Sequence, residues 1–204
     1  MLNEGGVSRE AIERLELYVE LLVRWQSVKN LIGRNSVADM WQRHILDSLQ
    51  VLKLRPMAKL WLDLGSGGGF PGMVIAVQMT GIVGSEVHLV ESDHRKCAFL
   101  RHVSRETGAP AIVHCARIDD VLPHLPQPDV ITARALAPMP QLLDWSKHFI
   151  ENGATGIFLK GQDIERELTK WTKSSNFNVD ILPSHTDRTG RIVVVTNGLS
   201  GMTV

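Results

Sequence analysis

The chain has 204 residues, of which 44% are hydrophobic and 22% are charged, a composition that is ordinary for a soluble globular protein. Its 22 basic residues balance its 22 acidic residues, so contact with a nucleic acid would have to use a local basic patch and not the overall charge. Because the sequence has no apolar run long enough for a membrane span, no signal-peptide pattern in MLNEGGVSRE and only two cysteines, we expect a cytoplasmic protein with no membrane segment and no disulfide framework.

Residues 1–55 are predicted to form an N-terminal helical extension. Apolar residues recur there at spacings of three and four, which is typical of one buried helix face: Ile12, Leu15, Val19, Leu22 and Trp25. Ser8 can cap this helix, and Gly33 interrupts the pattern before a second helix that is predicted over 36–52. This section contains no strand pattern.

Residues 56–204 show a different pattern, in which short apolar runs alternate with helical segments. Strands are predicted at 60–64, 87–91, 111–115, 129–133, 156–160, 178–183 and 191–195, and helices at 72–80, 93–107, 140–150 and 163–174. The alternation predicts one α/β domain, a doubly wound and mostly parallel sheet with helices on both faces. No helix separates the last two strands, which predicts an antiparallel pair at one edge.

The segment DLGSGGGFPG (63–72) follows the first strand, where α/β sheets bind their ligands. It lacks the lysine that a phosphate-binding P-loop needs. Three interpretations stay open: a weak dinucleotide pattern at Gly67, Gly69 and Gly72; an S-adenosylmethionine pocket with an acid and spaced glycines at Asp63, Gly65, Gly67 and Gly69; and a structural turn. In the second interpretation the Asp63 carboxylate suits the cationic groups of the cofactor.

Acidic residues also follow the second and third strands. Glu91 ends the second strand, where a carboxylate can accept hydrogen bonds from both hydroxyls of a ribose. After the third strand, Ile118 and Asp119 can flank and hydrogen-bond an adenine, although an acid at such a position also caps helices. These residues indicate a nucleoside ligand without distinguishing NAD from S-adenosylmethionine.

The segment TARALAP (132–138), after the fourth strand, lacks the Asn/Asp-Pro-Pro-aromatic motif that is typical of adenine amino methylation. Carbon-5 methylation of pyrimidines needs a nucleophilic cysteine, whereas Cys97 and Cys115 are predicted to be packing residues. No histidine or cysteine spacing predicts a metal site. Guanine N7 fits an enzyme of this kind, because it has an exposed lone pair and no proton to lose, and we assign no catalytic residue.

Five ordered motifs resemble those of the bacterial small-subunit ribosomal RNA guanine-N7 methyltransferases, the RsmG or GidB family, over essentially the whole chain. They are RHILDSL (43–49), DLGSGGGFPG, ITARALAP (131–138), FLKG (158–161) and GRIVVV (190–195). The resemblance implies a Rossmann-like S-adenosylmethionine-dependent methyltransferase fold. It also implies methylation of N7 of one guanine in a hairpin loop of 16S ribosomal RNA near the decoding region. The implied partner is 16S RNA or the small ribosomal subunit, and we expect a monomer.

Carried onto this chain, the resemblance implies cofactor contacts at six positions: Gly65, Phe70, Glu91, Ile118, Asp119 and Arg134. Together with Gly67 and Gly69 of the spaced-glycine pattern, these residues form the predicted cofactor site.

Basic residues are the candidates for contact with RNA. On the helix over 93–107, Arg101 and Arg105 lie on one face, and Arg95 and Lys96 flank its start. Further candidates are Lys160 after the fifth strand and Arg188 and Arg191 around the last turn. Arg43 and His44, which begin the motif RHILDSL, complete the set.

The motif RHILDSL is predicted to form one wall of the active-site cleft, with Arg43 and His44 facing it. The alternative is an ion pair between Arg43 and Asp47 within the helix, since Asp47 lies four residues after Arg43. Three alternative functions stay open at the level of sequence: methylation of another substrate, NAD-linked oxidation, and RNA binding without catalysis. Binding of NAD instead of the methyl donor would identify the second, and labelled methyl transfer would exclude the third.

Overall fold

The computed structural model describes residues 7–26, 31, 40–169 and 176–198. Near the N-terminus, α1 spans Arg9–Gln26, and a π-helical turn at Trp41–Leu46 continues into α2 at Asp47–Leu54. The later helices are α3 (Gly72–Gln78), α4 (His94–Thr107), α5 (Ile118–Val121), a 3-10 turn (Leu122–His124), α6 (Met139–Glu151) and α7 (Ile164–Thr169).

Seven strands form one sheet in the order β3-β2-β1-β4-β5-β7-β6. The strands are β1 (Leu60–Leu64), β2 (Glu86–Glu91), β3 (Ala111–Cys115), β4 (Val130–Arg134), β5 (Thr155–Lys160), β6 (Phe177–Pro183) and β7 (Arg191–Asn197). The first five pair in parallel, whereas β7 pairs antiparallel with both β5 and β6. The predicted α/β fold and its antiparallel edge are confirmed.

The strand order reverses between β1 and β4, and the carboxyl ends of both strands meet at one edge of the sheet. Ligands of open α/β sheets bind at such a point, because the connections on either side diverge and leave a crevice. The glycine segment extends from the end of β1 and the motif ITARALAP extends from the end of β4, so the topology brings two of the predicted motifs to this crevice.

Two hydrophobic clusters cover the two faces of the sheet. Alternate residues of β1 divide between them, with Trp61 in the cluster that contains α1 to α4 and Leu62 in the cluster that contains α6 and α7. Since α1 and α2 share the first cluster with the sheet, the helical extension is packed as part of the core. The boundary between residues 55 and 56 stays a prediction.

The buried face of α1 is rotated relative to the predicted one. Its buried residues are Ala11, Leu15, Tyr18, Leu21 and Leu22, whereas Ile12, Val19 and Trp25 are only partly buried. The centre of the face is Tyr18, whose hydroxyl donates a hydrogen bond to the backbone carbonyl of Gly68 and is therefore satisfied in the interior. As predicted, Ser8 caps the helix by accepting from the amide of Ala11 at 3.2 Å.

Two predicted helical regions lie partly outside the described residues. Gly33 and the start of the helix predicted over 36–52 are not described, and the described part of that helix begins at Met40 and includes the π-helical turn. Of the helix predicted over 163–174, the structure describes α7.

A buried carboxylate links β1, β4 and α3. Asp63 is 1% exposed, its Oδ1 accepts from the Thr132 hydroxyl at 2.7 Å, and its Oδ2 accepts from the Gly72 amide at 3.3 Å. Burial raises the pKa of Asp63 to about 6, and these hydrogen bonds oppose the rise because they stabilise the charged form. Asp63 does not line the cavity described below, so the prediction that it meets the cofactor's cationic groups is wrong. The carboxylate is instead directed into the core, where it holds the start of α3.

We expect the variant Thr132→Val to destabilise the protein in a pH-dependent way. Because the pKa of Asp63 in the folded protein lies above its ordinary value of 3.8, the protonated carboxyl group contributes its full stabilisation below pH 3.8. This stabilisation is lost as the pH rises through about 6. Removing the hydroxyl raises that pKa further, so the free energy of unfolding should fall by about 1.5–3 kcal/mol at pH 8 and by less at pH 5. Urea denaturation at both pH values measures this difference, and equal losses would contradict the account.

Candidate active site

The glycine segment between β1 and α3 is held by side chains from three different elements. Each one satisfies a backbone group of the segment: Tyr18 of α1 donates to the carbonyl of Gly68, Glu91 of β2 accepts from the amide of Gly67, and Asp63 of β1 accepts from the amide of Gly72. Within the loop, the amide of Gly69 donates to the carbonyl of Ser66 at 2.7 Å. The loop is therefore a fixed surface and not a flexible turn.

Two of its glycines are required by close packing as well as by their backbone angles. Gly65 has a φ of +64°, and a Cβ there would lie 2.4 Å from the side chain of Leu136. Gly69 has a φ of +103°, and a Cβ there would lie 2.5 Å from the Tyr18 hydroxyl. Gly69 thus faces α1, which explains why it does not line the cavity although we predicted it as a cofactor contact.

A cavity of about 460 Å³ lies over this loop at the carboxyl ends of β1 to β4. All the predicted cofactor residues except Gly69 line it: Gly65, Gly67, Phe70, Glu91, Ile118, Asp119 and Arg134. Its volume falls within the range of about 300–1,000 Å³ that is typical of small-molecule pockets. The fold therefore brings together residues that are spread over four strand ends in the sequence.

Glu91 is fixed in place at the end of β2. One carboxylate oxygen accepts from the amide of Gly67 at 2.9 Å, and the other accepts from the amide of Asp93 at 2.8 Å. The residue is 8% exposed, yet it lines the cavity. Because each carboxylate oxygen has a second lone pair, the group can still accept hydrogen bonds from a ligand.

Asp119 has a partner that the sequence analysis missed. Its Oδ1 accepts from the indole Nε1 of Trp145 in α6 at 2.7 Å, and Trp145 itself lines the cavity. The signal in the sequence was weak: Trp145 lies on an otherwise ordinary amphipathic helix, and a buried indole N–H needs a hydrogen-bond acceptor.

Arg134 connects the end of β4 to the RHILDSL motif. Its Nη1 lies 3.1 Å from a carboxylate oxygen of Asp47, and its Nη2 donates to the carbonyl of Arg43 at 2.7 Å. Asp47 also accepts from the hydroxyls of Ser184 and Thr186 after β6. This network joins α2, β4 and the turn between β6 and β7.

The alternative interpretation of Arg43, an ion pair with Asp47 within the helix, does not hold. Asp47 is buried and is paired with Arg134 instead, whereas the side chain of Arg43 is exposed. A buried carboxylate needs several close donors, and the strand end supplies them while a solvated arginine on the same helix does not. Of the two residues expected to face the cleft, His44 lines the cavity and Arg43 does not.

His44 stacks on Phe70, with ring centroids 4.7 Å apart and an interplanar angle of 25°. Burial, with smaller contributions from the guanidiniums of Arg134 and Arg43, lowers the pKa of His44 to about 4. The imidazole is therefore neutral at physiological pH. Both ring nitrogens are shielded from solvent and have no hydrogen-bond partner among the residues that the structure describes.

A second cavity of about 370 Å³ adjoins the first, and Arg134 and Ala135 line both. It lies beyond the carboxyl end of β5 and beside the turn between β6 and β7, where Lys160 and Arg191 line it. Ala135 has a φ of +48°, an unfavourable angle for a residue with a Cβ, and such residues cluster at functional sites.

The predicted RNA-binding residues make different kinds of contact. Lys96 lines the first cavity, while Lys160 is paired with Glu167 at 2.8 Å and donates to the carbonyl of Ala137. The remaining cations make local contacts: Arg95 with Asp93, Arg101 with the carbonyl of Val113, Arg105 with Glu106, and Arg191 with the carbonyl of the exposed Arg188.

Neither of the two cysteines lines either cavity. Cys97 is buried, and burial, with its neighbour Cys115, raises the pKa of its thiol to about 12. Within the described part of the chain, no cluster of three or more histidine, cysteine or acidic side chains is placed to hold a metal ion. None of the helices in the described ranges combines the length and the apolarity that crossing a membrane needs.

The model of one protein family, GidB, described as rRNA small subunit methyltransferase G, matches residues 11–188. A relative of that name from Methylorubrum populi is 49% identical over 197 residues, covering 97% of this chain and 93% of its own. Another from a Bradyrhizobium species is 48% identical, covering 93% and 86%.

Among solved structures, an O-methyltransferase from Bacillus cereus in complex with SAH is similar, with a TM-score of 0.65 and 14% identity, covering 88% of this chain and 90% of its own. The O-methyltransferase TomG from Streptomyces achromogenes in complex with SAM has a TM-score of 0.63 and 14% identity, covering 94% and 91%. These likenesses show a shared Rossmann-like methyltransferase fold.

We expect the variant Tyr18→Phe to loosen the glycine loop. The change keeps the ring that packs near Phe70 and Phe99 but leaves the buried carbonyl of Gly68 without its donor. Loss of that hydrogen bond should lower the free energy of unfolding by about 1–3 kcal/mol, and proteolysis at the loop should become faster. Val23→Ala, on the exposed side of the same helix, is the matched control. Unchanged stability in Tyr18→Phe would mean that this bond does not hold the loop.

Proposed function

Because this chain belongs to the GidB family of rRNA small subunit methyltransferases, we propose that it methylates N7 of one guanine in a hairpin loop of 16S ribosomal RNA near the decoding region. The chain is an S-adenosylmethionine-dependent methyltransferase. The proposal rests on the cavity at the strand-order reversal, which is lined by all the predicted cofactor residues except Gly69.

The residues of this cavity fit S-adenosylmethionine. Glu91 presents a carboxylate for the ribose hydroxyls, and Ile118 and Asp119 offer an apolar side chain and an acceptor for the adenine at the neighbouring strand end. Gly65 and Gly67 leave the loop backbone free of side chains, so the methionine part of the cofactor can lie against it. When bound, the cofactor supplies a methyl group on a cationic sulfonium.

The acceptor base is proposed to enter from the second cavity. This cavity meets the first at Arg134 and Ala135, next to the end of β4. In this proposal the adenine lies at the end of β3, the ribose at the end of β2, the methionine part at the end of β1 and the acceptor at the end of β4, which are neighbours in that order in the sheet. In this arrangement the acceptor meets the end of the cofactor that carries the methyl group.

Methylation of guanine N7 is compatible with the charges around the junction of the two cavities, which is formed by Arg134 and Ala135. Attack through the N7 lone pair releases no proton, so the chain does not need a general base, and its contribution is orientation of the two reactants. The positive charge of Arg134 is offset by Asp47, and the positive charge of Lys160 is offset by Glu167. The junction therefore carries little excess positive charge to oppose the cation that forms on the base.

Contact with the RNA is proposed for exposed or cavity-lining cations around the two cavities: Arg43, Lys96, Arg188 and Arg191. Arg95, Arg101 and Arg105 extend this proposal along α4, and Lys160 contributes from the wall of the second cavity. We also propose that a single chain in the cytoplasm is the acting unit, since both cavities are built within one chain.

Methyl transfer to small ribosomal subunits tests the proposed function directly. Purified protein is incubated with S-adenosylmethionine labelled in its methyl group and with subunits from cells that lack the modification. N7-methylguanine is then located in 16S RNA by borohydride reduction and aniline cleavage. Label on a single guanine N7 in a hairpin loop is the expected result. Label on a pyrimidine or an amino group, or no label in RNA, would overturn the proposal.

We expect the variant Glu91→Gln to weaken cofactor binding by at least about tenfold. The amide can offer only one acceptor oxygen, so it cannot serve the amides of Gly67 and Asp93 as well as a ribose. Isothermal titration calorimetry with S-adenosylmethionine measures the change. The matched control is Glu86→Gln at the exposed, opposite end of the same strand, which should bind like the wild type. Equal affinities of both variants would contradict the ribose assignment.

A further inference from the structure

His44 is an unusual polar residue, because both of its ring nitrogens are shielded and neither has a partner among the described residues. A buried polar atom without a hydrogen bond costs folding free energy, so most such atoms in native proteins are paired. Each unpaired one therefore needs an explanation, and a role in binding or catalysis is one of the recognised explanations. The ring is not loose, because it stacks on Phe70 at 4.7 Å.

The position of His44 separates it from the nucleoside end of the cofactor cavity. The cavity wall on that side comes from β2 and β3, through Glu91, Ile118 and Asp119. His44 comes from the π-helical turn, whose backbone is bound by Arg134 at the end of β4. His44 lines the first cavity only, but Arg134, which binds the turn that carries it, lines both cavities.

We propose that His44 binds the acceptor base, by donating a ring N–H to O6 of the guanine while leaving N7 free to face the methyl donor. This inference rests on the proposed function and names one contact within it. Guanine presents two acceptors side by side on this edge, N7 and O6. Since N7 must be free to react, O6 is the atom that a positioning donor can use.

The charge state of the ring suits this role. A neutral imidazole has one N–H donor and adds no positive charge beside a sulfonium or a methylated base. Besides burial, the guanidiniums of Arg134 and Arg43 disfavour protonation of the ring. Stacking on Phe70 fixes the plane of the ring, so the direction of its N–H is set before the base arrives.

The variant His44→Phe tests the proposal, because it keeps an aromatic ring on Phe70 and removes both nitrogens. We expect the single-turnover rate of methyl transfer to small subunits to fall by at least about tenfold, the size of one lost hydrogen bond. The Kd for S-adenosylmethionine, measured by calorimetry, should stay within about twofold. The midpoint of thermal unfolding should rise, because two unpaired polar atoms leave the interior.

Two further variants complete the design. His44→Gln restores a donor and should recover part of the rate. His148→Phe makes the same substitution near the end of α6 and outside both cavities, where His148 packs beside Phe149, and should transfer methyl groups at the wild-type rate.

Three results in His44→Phe would overturn the proposal. A wild-type rate would show that His44 does not bind the base. A cofactor affinity that falls in parallel with the rate would make His44 a cofactor contact, and a lower unfolding temperature would make it a structural residue. Failure of the proposed function is visible separately, since the wild-type protein would then place no methyl group on a guanine of the subunit, and both proposals would fall.

Discussion

The glycine loop depends on three hydrogen bonds that tie its backbone to the surrounding fold. Tyr18 holds the carbonyl of Gly68, and Glu91 and Asp63 hold the amides of Gly67 and Gly72. Each anchor comes from a different element, so the loop has its shape only when α1, β1 and β2 are packed together. The cavity above the loop, and with it the site for the methyl donor, follows from this constraint.

The same anchors explain why a helical extension belongs to a sheet domain. Tyr18 reaches the loop from α1, and the π-helical turn and α2 reach the end of β4 through the pair of Asp47 and Arg134. The hydroxyls of Ser184 and Thr186 bring the turn after β6 to the same carboxylate. One buried ion pair thereby joins three separate parts of the chain beside the junction of the two cavities. A buried ion pair of this kind adds little net free energy of folding, but it fixes the relative positions of the parts that it joins.

Much of the fold and part of the site could be predicted from the sequence. The strands of the sheet and its antiparallel edge follow from local patterns, and Glu91 and the glycines follow from their places after strands. The pairing of Asp47 could not be predicted, because Arg134 and Asp47 are distant in sequence and a nearer cation, Arg43, offered a local alternative. Tyr18 and Trp145 were missed for a related reason: each looks like an ordinary residue of an amphipathic helix until its polar atom finds a distant partner. Asp63 was assigned to the cofactor because burial of a charged side chain leaves no sign in a sequence.

Hydrogen exchange at the amides of the glycine loop tests most directly whether the cofactor surface exists before the cofactor binds. The protein is compared without ligand and with saturating S-adenosylhomocysteine, and exchange is measured at Gly67, Gly69 and Gly72. If their hydrogen bonds hold the loop, these amides exchange slowly in the free protein, and the ligand changes their rates little. Free exchange without ligand, followed by protection only when the ligand is bound, would contradict a preformed loop.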